Sequence, residues 1–201
     1  MKTSLFLAVL LFITTGTIKA QDFGKNEFHV AYSDGFTLGA VNTFSNVLST
    51  AIVDGFTGEK TKLTSESSFG MLEVGYKYQI GERFRLGLDI GYQKYNEKTV
   101  TEKTLKTVKR EATFIVFMPN LNFSYIKTPL LDFYGSLGAG AVLTNEKVTE
   151  SNNKKAATEN QMDFAWQVNP VGLRVGKSLG GFAELGFGTK GFVTAGINYK
   201  F

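Results

Sequence analysis

Apolar and polar positions alternate along most of this chain. From Leu72 to Ile80, Leu72, Val74, Tyr76, Tyr78 and Ile80 fall on one face, and Glu73, Gly75, Lys77 and Gln79 on the other. This is the period of two that marks a strand, not the 3.6 of a helix. Gly81-Glu82 reads as a two-residue turn, and Arg83 to Tyr92 repeats the pattern as the second arm of a tight hairpin. The same parsing predicts strands over Glu111–Ile126, Leu131–Asn145, Gln161–Gly176, Phe182–Gly188 and Gly191–Phe201, with Asn26–Ser33 as the first. In the strand from Gln161, the apolar phase moves from Phe164, Trp166 and Val168 to Val171, Leu173 and Val175. A bulge at Asn169-Pro170 would absorb the extra residue. The total is eight strands.

The two faces differ in kind. One carries Leu, Val, Ile, Phe and Tyr. The other carries glycines together with Glu73, Lys77, Arg85, Asp89, Arg174 and Glu184. In a water-soluble barrel the apolar face would point inward. Here glycines and charges share a face, as a narrow lumen requires, and no central position of the apolar face carries a charge. Connection lengths agree. Gly81-Glu82, Lys127–Leu130 and Ser178–Gly181 are short, while Asp34–Ser67, Asn96–Arg110 and Glu146–Asn160 are long; only the last connection of the long set, the turn at Thr189-Lys190, is short. Short turns on one rim and long loops on the other are the habit of outer-membrane barrels, whose long loops face outside. The expectation is an all-β, eight-stranded antiparallel transmembrane β-barrel.

Residues 1–20 read as a signal peptide. Lys2 precedes an apolar run, Leu5 to Ile13, that is too short to span a bilayer as a helix, and cleavage is placed after Ala20. Residues 21–201 are then the exported domain. Removing Lys2 and Lys19 lowers the net charge from +4 to +2, so the basic balance is partly that of the leader and does not support nucleic-acid binding. Composition narrows the chemistry further. With 22 glycines, 18 phenylalanines and 8 tyrosines but only 3 prolines, the chain suits aromatic-rich strands. The absence of cysteine excludes disulfides and thiol nucleophiles. A single histidine, His29, leaves little for zinc or for catalysis. His29 and Ser33 share one strand but lie roughly 13 Å apart along it, beyond hydrogen-bond reach. No enzyme activity, cofactor or metal is expected.

Three groups of residues stand out. Glu73, Arg85, Asp89, Arg174 and Glu184 are the candidate lumen charge network. In the first long loop, Phe44, Leu48 and Ile52 recur at helical spacing with Val47 and Ala51, predicting a short helix in the first extracellular loop that serves as a plug or lid. The second long loop mixes Lys, Thr and Val with acidic residues; a strand pair extending past the membrane fits it, as does contact with lipopolysaccharide phosphates.

The third group closes the chain. Phe201 is terminal, and Tyr199, Ile197, Ala195 and Val193 precede it at alternate positions. This ending resembles the C-terminal assembly signal of Gram-negative outer-membrane barrels, and residues 22–201 resemble the small OmpX/OmpA-like barrel domain family. The resemblance implies location in the cell outer membrane, contact with outer-membrane lipid, insertion by the barrel-assembly machinery through Tyr199 and Phe201, and a monomer. Unlike the OmpA pattern, no peptidoglycan-binding domain is expected. Such barrels serve many ends. The expected role is structural or one of surface interaction; the alternative is a narrow pore or carrier for small solutes, gated by the first loop.

Overall fold

The computed structural model describes residues 24–35, 61–68, 70–101, 107–150 and 156–201. The expected leader (1–20) and the loop-helix residues Phe44, Leu48 and Ile52 lie outside these. All regular structure among the described residues is strand. β1 covers Asn26–Ser33, β2 Thr61–Ser68, β3 Met71–Gln79, β4 Phe84–Thr101, β5 Thr107–Lys127, β6 Leu131–Glu150, β7 Ala156–Gly176, β8 Leu179–Gly188 and β9 Val193–Lys200. Every pairing is antiparallel. β1 pairs with both β3 and β9, and β4 pairs with both β3 and β5, so the sheet closes on itself. β2 and β3 lie end to end along β4: Ser68 faces Tyr95 and Leu72 faces Tyr92. They are two segments of one stave, and the barrel has eight.

Over the height the eight staves share, closure gives each strand a neighbour on both sides, which an open sheet cannot do; above it β2 and the upper part of β7 are paired on one side only. The ends are fastened in the same way: Phe201 and Asn26 exchange backbone hydrogen bonds of 2.9 and 3.2 Å. The β3–β4 connection runs over Ile80–Arg83, two residues longer than the turn expected at Gly81-Glu82, because both Ile80 and Gly81 donate to the Phe84 carbonyl. The phase change in β7 is a bulge, with the register shifting between Val168 and Val171. It is matched on the neighbouring strands by shifts near Gly135 and Tyr125. On the outer face Gly135 leaves room for Tyr125 to lie across β6 and donate to the Pro170 carbonyl at 3.2 Å.

The wall is uneven. β4 to β7 run 18 to 21 residues, while β1, β3, β8 and β9 run 8 to 10. The segments Asn96–Arg110 and Glu146–Asn160, expected to be long loops, are mostly ladder: Lys98 pairs with Lys109, and Lys147 with Thr158. Alternating Thr, Val and Lys side chains continue these hairpins past the short half of the barrel.

Polarity is inverted relative to a soluble barrel. Phe28, Val74, Leu86, Phe117, Leu137 and Leu173 face outward and are two-fifths or more exposed, whereas Glu73, Asp132, Asn122 and Gln93 point inward and are 2% exposed or less. Inward glycines make the space. Gly75 lies between His29 of β1 and Asp89 of β4 on one rung, and a methyl group there would strike both side chains. Gly75→Val should therefore destabilise the barrel by about 1–3 kcal/mol in urea unfolding from detergent. Gly81→Ala, in an open turn with no atom within 4 Å, should leave the midpoint unchanged.

Candidate functional site

The interior holds a concentration of buried titratable groups in reach of one another. All five residues of the candidate lumen network point inward and are 5% exposed or less. The structure does not join them into one network. It divides them by level and brings in partners from other strands.

The lower cluster centres on Arg85. Its guanidinium lies 3.1 Å from Glu27 of β1 and 2.6 Å from Asp132 of β6, and Lys200 stands 3.7 Å from the same Glu27 carboxylate. Beside it, Glu184 of β8 takes a hydrogen bond of 2.7 Å from the Tyr134 hydroxyl and another of 2.7 Å from the Asn169 amide, and faces Lys77 at 3.6 Å. The Tyr134 ring is also the floor on which Arg85 rests, with the guanidinium carbon 5.2 Å from the ring centroid. This cation–π contact ties the Arg85 and Glu184 groups together.

The upper cluster centres on Lys190, which lies in the four-residue β8–β9 connection. Its ammonium reaches down to Glu73 of β3 at 2.7 Å and Asp89 of β4 at 3.0 Å. Burial opposes its charge, but Asp89, Glu73 and Glu184 outweigh that and hold Lys190 well above its usual range. His29 Nε2 lies 3.2 Å from the second Asp89 oxygen, and its ring meets Phe182 edge-on at 5.6 Å. His29 and Ser33 both point inward and are buried, on the same strand.

The Lys190 connection is seated by backbone contacts. Its carbonyl accepts from Gly35 N–H at 3.1 Å, its own N–H donates to Gln167 at 3.0 Å, and Phe192 N–H donates to Asp34 at 3.0 Å. Gly191 has φ +102°, a conformation side chains resist, and a Cβ there would collide with Asp34. Gln93 of β4 reaches the Gly35 carbonyl at 3.0 Å. The connection thus folds inward over the lumen. Above it, on the tall wall, Tyr95, Ala112, Phe114, Val116 and Val142 form an apolar interior patch.

Arg174 departs from the expected pairing. It donates to the carbonyls of Gly176 at 2.5 Å and Lys177 at 2.7 Å, clamping the β7–β8 turn. Glu27, Asp132 and Lys190 were missed as site residues. The first two stand on short stretches whose inward phase was legible, but their partnership with Arg85 depends on barrel stagger. Among the described residues, no group of His, Asp and Glu is arranged to hold a metal ion. On the outer face, Tyr199 and Phe201 point outward at the rim where β1 begins and β9 ends, stacked with centroids 5.9 Å apart.

Neither the family models nor the curated proteins searched give a match to this chain.

Arg85→Ala should leave the Glu27 and Asp132 carboxylates buried without their main counter-charge, at a cost of about 3–5 kcal/mol. Leu88→Ala on the outer face of the same strand should cost less. Urea unfolding of the two variants in the same detergent makes the comparison, and equal losses would show that the lower cluster is not a closed ion-pair site.

Proposed function

We propose that the protein is an outer-membrane β-barrel with a structural or surface-interaction role, its lumen sealed and its tall β4–β7 wall carried outward. The observation that bears this reading is the inverted polarity. Ion pairs and amides fill the inside, and an unbroken apolar belt covers the outside. On β5 the outward positions from Ile115 to Tyr125 carry no charge and are bounded by Thr113 and Lys127. That stretch spans about 33 Å along the strand, or about 25 Å along the axis at a tilt near 40°, the height of an outer-membrane barrel's apolar band. Phe84, Phe123, Tyr125 and Phe133 form a chain of ring contacts at its lower border, and Trp166 meets Phe187 near its upper one. Paired aromatic girdles suit the two interfaces. An Arg or Lys on this belt at mid-bilayer would cost about 2–4 kcal/mol, and none is there.

The filled interior favours a sealed barrel over a pore. Arg85 bridges opposite walls between Glu27 and Asp132, Lys190 closes over Glu73 and Asp89, and the inward glycines are backed by side chains from across or along the wall. An eight-strand lumen has room for side chains and little more.

The test is direct. The refolded chain should require detergent or bilayer, migrate faster unboiled than boiled on a denaturing gel, and give no stepwise conductance in planar bilayers. A monomer soluble without detergent would refute the membrane reading, and regular conductance steps would put the narrow pore in its place.

The chain end makes a second expectation. Phe201 contributes two backbone hydrogen bonds to Asn26 and a ring contact to Tyr199, a small share of the barrel's cohesion. If the barrel-assembly machinery reads it, deleting Phe201 should lower insertion in cells far more than stability in vitro. Equal losses in pulse-chase insertion and urea unfolding would make its role purely structural.

A further inference from the structure

Directly above the apolar belt, the outer face of the tall wall turns basic. The ladder registers place its side chains in rows. The highest apolar row includes Ile115 of β5, Leu143 of β6 and Met162 of β7, neighbours across successive strands. One step higher on the same face, Lys94 stands opposite Thr113, and Thr113 opposite Asn145. The next row sets Glu111 opposite Lys147, and the next sets Lys98 opposite Lys109. All five charged side chains are exposed, and four lysines against one glutamate leave this patch a net charge of +3.

The Lys98–Lys109 pairing is the informative one. Like charges directly opposed on one face of a ladder destabilise it. Glu111 lies two residues from Lys109 but already faces Lys147. An anion between the lysines would relieve the repulsion. Below the Glu111–Lys147 row a groove of about 320 Å³ opens on the same outer face, with Ile115, Leu143 and Met162 as its apolar floor and Asn145, Asn160 and Gln161 among its polar edges. Met162 is 69% exposed there. A positive patch thus stands above an apolar groove: Lys94 lies one row above the groove floor, and the Lys98–Lys109 pair three rows, about 20 Å along the strand, above it. That sequence of charge, amide and hydrocarbon along one line is the profile of an anionic membrane lipid.

We propose that this face is a lipid site: the lysine patch of β4, β5 and β6 holds the phosphate of an anionic, phosphorylated outer-leaflet glycolipid, and the Ile115–Leu143–Met162 groove holds one of its acyl chains. The proposal rests on the membrane reading above and adds to it a preferred lipid and a side of the barrel. Charge complementarity favours a lipid over a second copy of this chain, whose matching face would carry the same positive charge. Among the described residues β1, β8 and β9 have no strand at this height, whereas β2 does, so the bound lipid would mark the β2–β7 flank.

Native mass spectrometry of the refolded full chain in a non-ionic detergent tests it with bisphosphorylated lipid A, phosphate-free lipid A and phosphatidylethanolamine as probes. The wild-type barrel should retain bisphosphorylated lipid A in preference to the other two. The K98Q/K109Q variant should bind it about thirtyfold more weakly, from two lysines at a charged surface. Met162→Asn should weaken it while leaving the phosphate preference intact, and inorganic pyrophosphate should not displace it. Equal retention of the phosphate-free lipid, unchanged binding by K98Q/K109Q, or full displacement by pyrophosphate would overturn the proposal. The heat-dependent gel shift separates this failure from the larger one. If it persists in a barrel without lipid preference, the membrane reading stands and the lipid site falls. If the chain is soluble without detergent, both fall together.

Discussion

Closing eight strands into a ring leaves a lumen that side chains must fill, and the rest of the molecule follows from how that volume is shared. Large and small inward residues have to alternate between neighbouring strands. Gly75 stands between His29 and Asp89, Gly172 backs onto the Tyr134 ring, and Gly138 onto the Met118 thioether. The glycines are therefore not points of weakness in the strands. They are the space in which the polar groups of the opposite rung sit, and a strand propensity scale, which counts glycine as unfavourable, does not see this. With the volume filled, water is largely excluded. Every charge that faces inward then needs a partner at short range, because an unpaired buried charge costs far more than a paired one contributes.

That requirement explains the vertical order of the interior. Arg85 answers two carboxylates from strands on either side, Glu27 and Asp132, and the Tyr134 ring couples it to Glu184. Above, Glu73 and Asp89 lie on adjacent inward rungs of the β3–β4 pair, each opposite a glycine, and take their counter-charge from Lys190, which belongs to no strand. The β8–β9 connection folds inward to deliver it, and Gly191 makes the backbone turn possible. The short half of the wall ends where this connection lies. The tall half continues with Tyr95, Ala112 and Phe114 on its inner side, where the interior changes from ionic to apolar. One residue in a four-residue turn thus joins the charged part of the lumen to the apolar part.

Much of this was legible in the sequence, for a physical reason. Period-two patterning is a local property, so the strands, their inward phase and the bulge at Asn169-Pro170 could be read without knowing what lay beside them. Partnership is not local. Glu27 meets Arg85 only because of the stagger between β1 and β4 around the ring, and no spacing along the chain encodes that. Arg174 was grouped with the lumen charges because its phase is inward, yet it lies near a turn whose free carbonyls are closer than any carboxylate. Lys190 was hidden for the opposite reason: it sits where a turn was expected, and turns have no phase to read. The β4–β5 extension was read as a strand pair from its alternating Lys, Thr and Val, and the ladder runs through it; the β6–β7 extension was obscured because no apolar face marks it, and the signal of a half-buried strand needs one.

The inward and outward faces also constrain each other. Because side chains alternate, a one-residue slip of β4 against its neighbours would turn Arg85 and Asp89 onto the apolar belt and Leu86 and Leu88 into the lumen. Both halves of that exchange are costly: charges would enter the apolar surface, and the carboxylates of Glu27 and Asp132 would lose their cation. Register is thus held from two sides at once, by partition outside and by pairing inside. A buried ion pair adds little to stability when compared with a well-packed apolar pair. Its contribution here is of another kind. Arg85 can satisfy Glu27 and Asp132 together in one register only, so the lower cluster selects among registers that hydrophobic partition alone would separate only in steps of two.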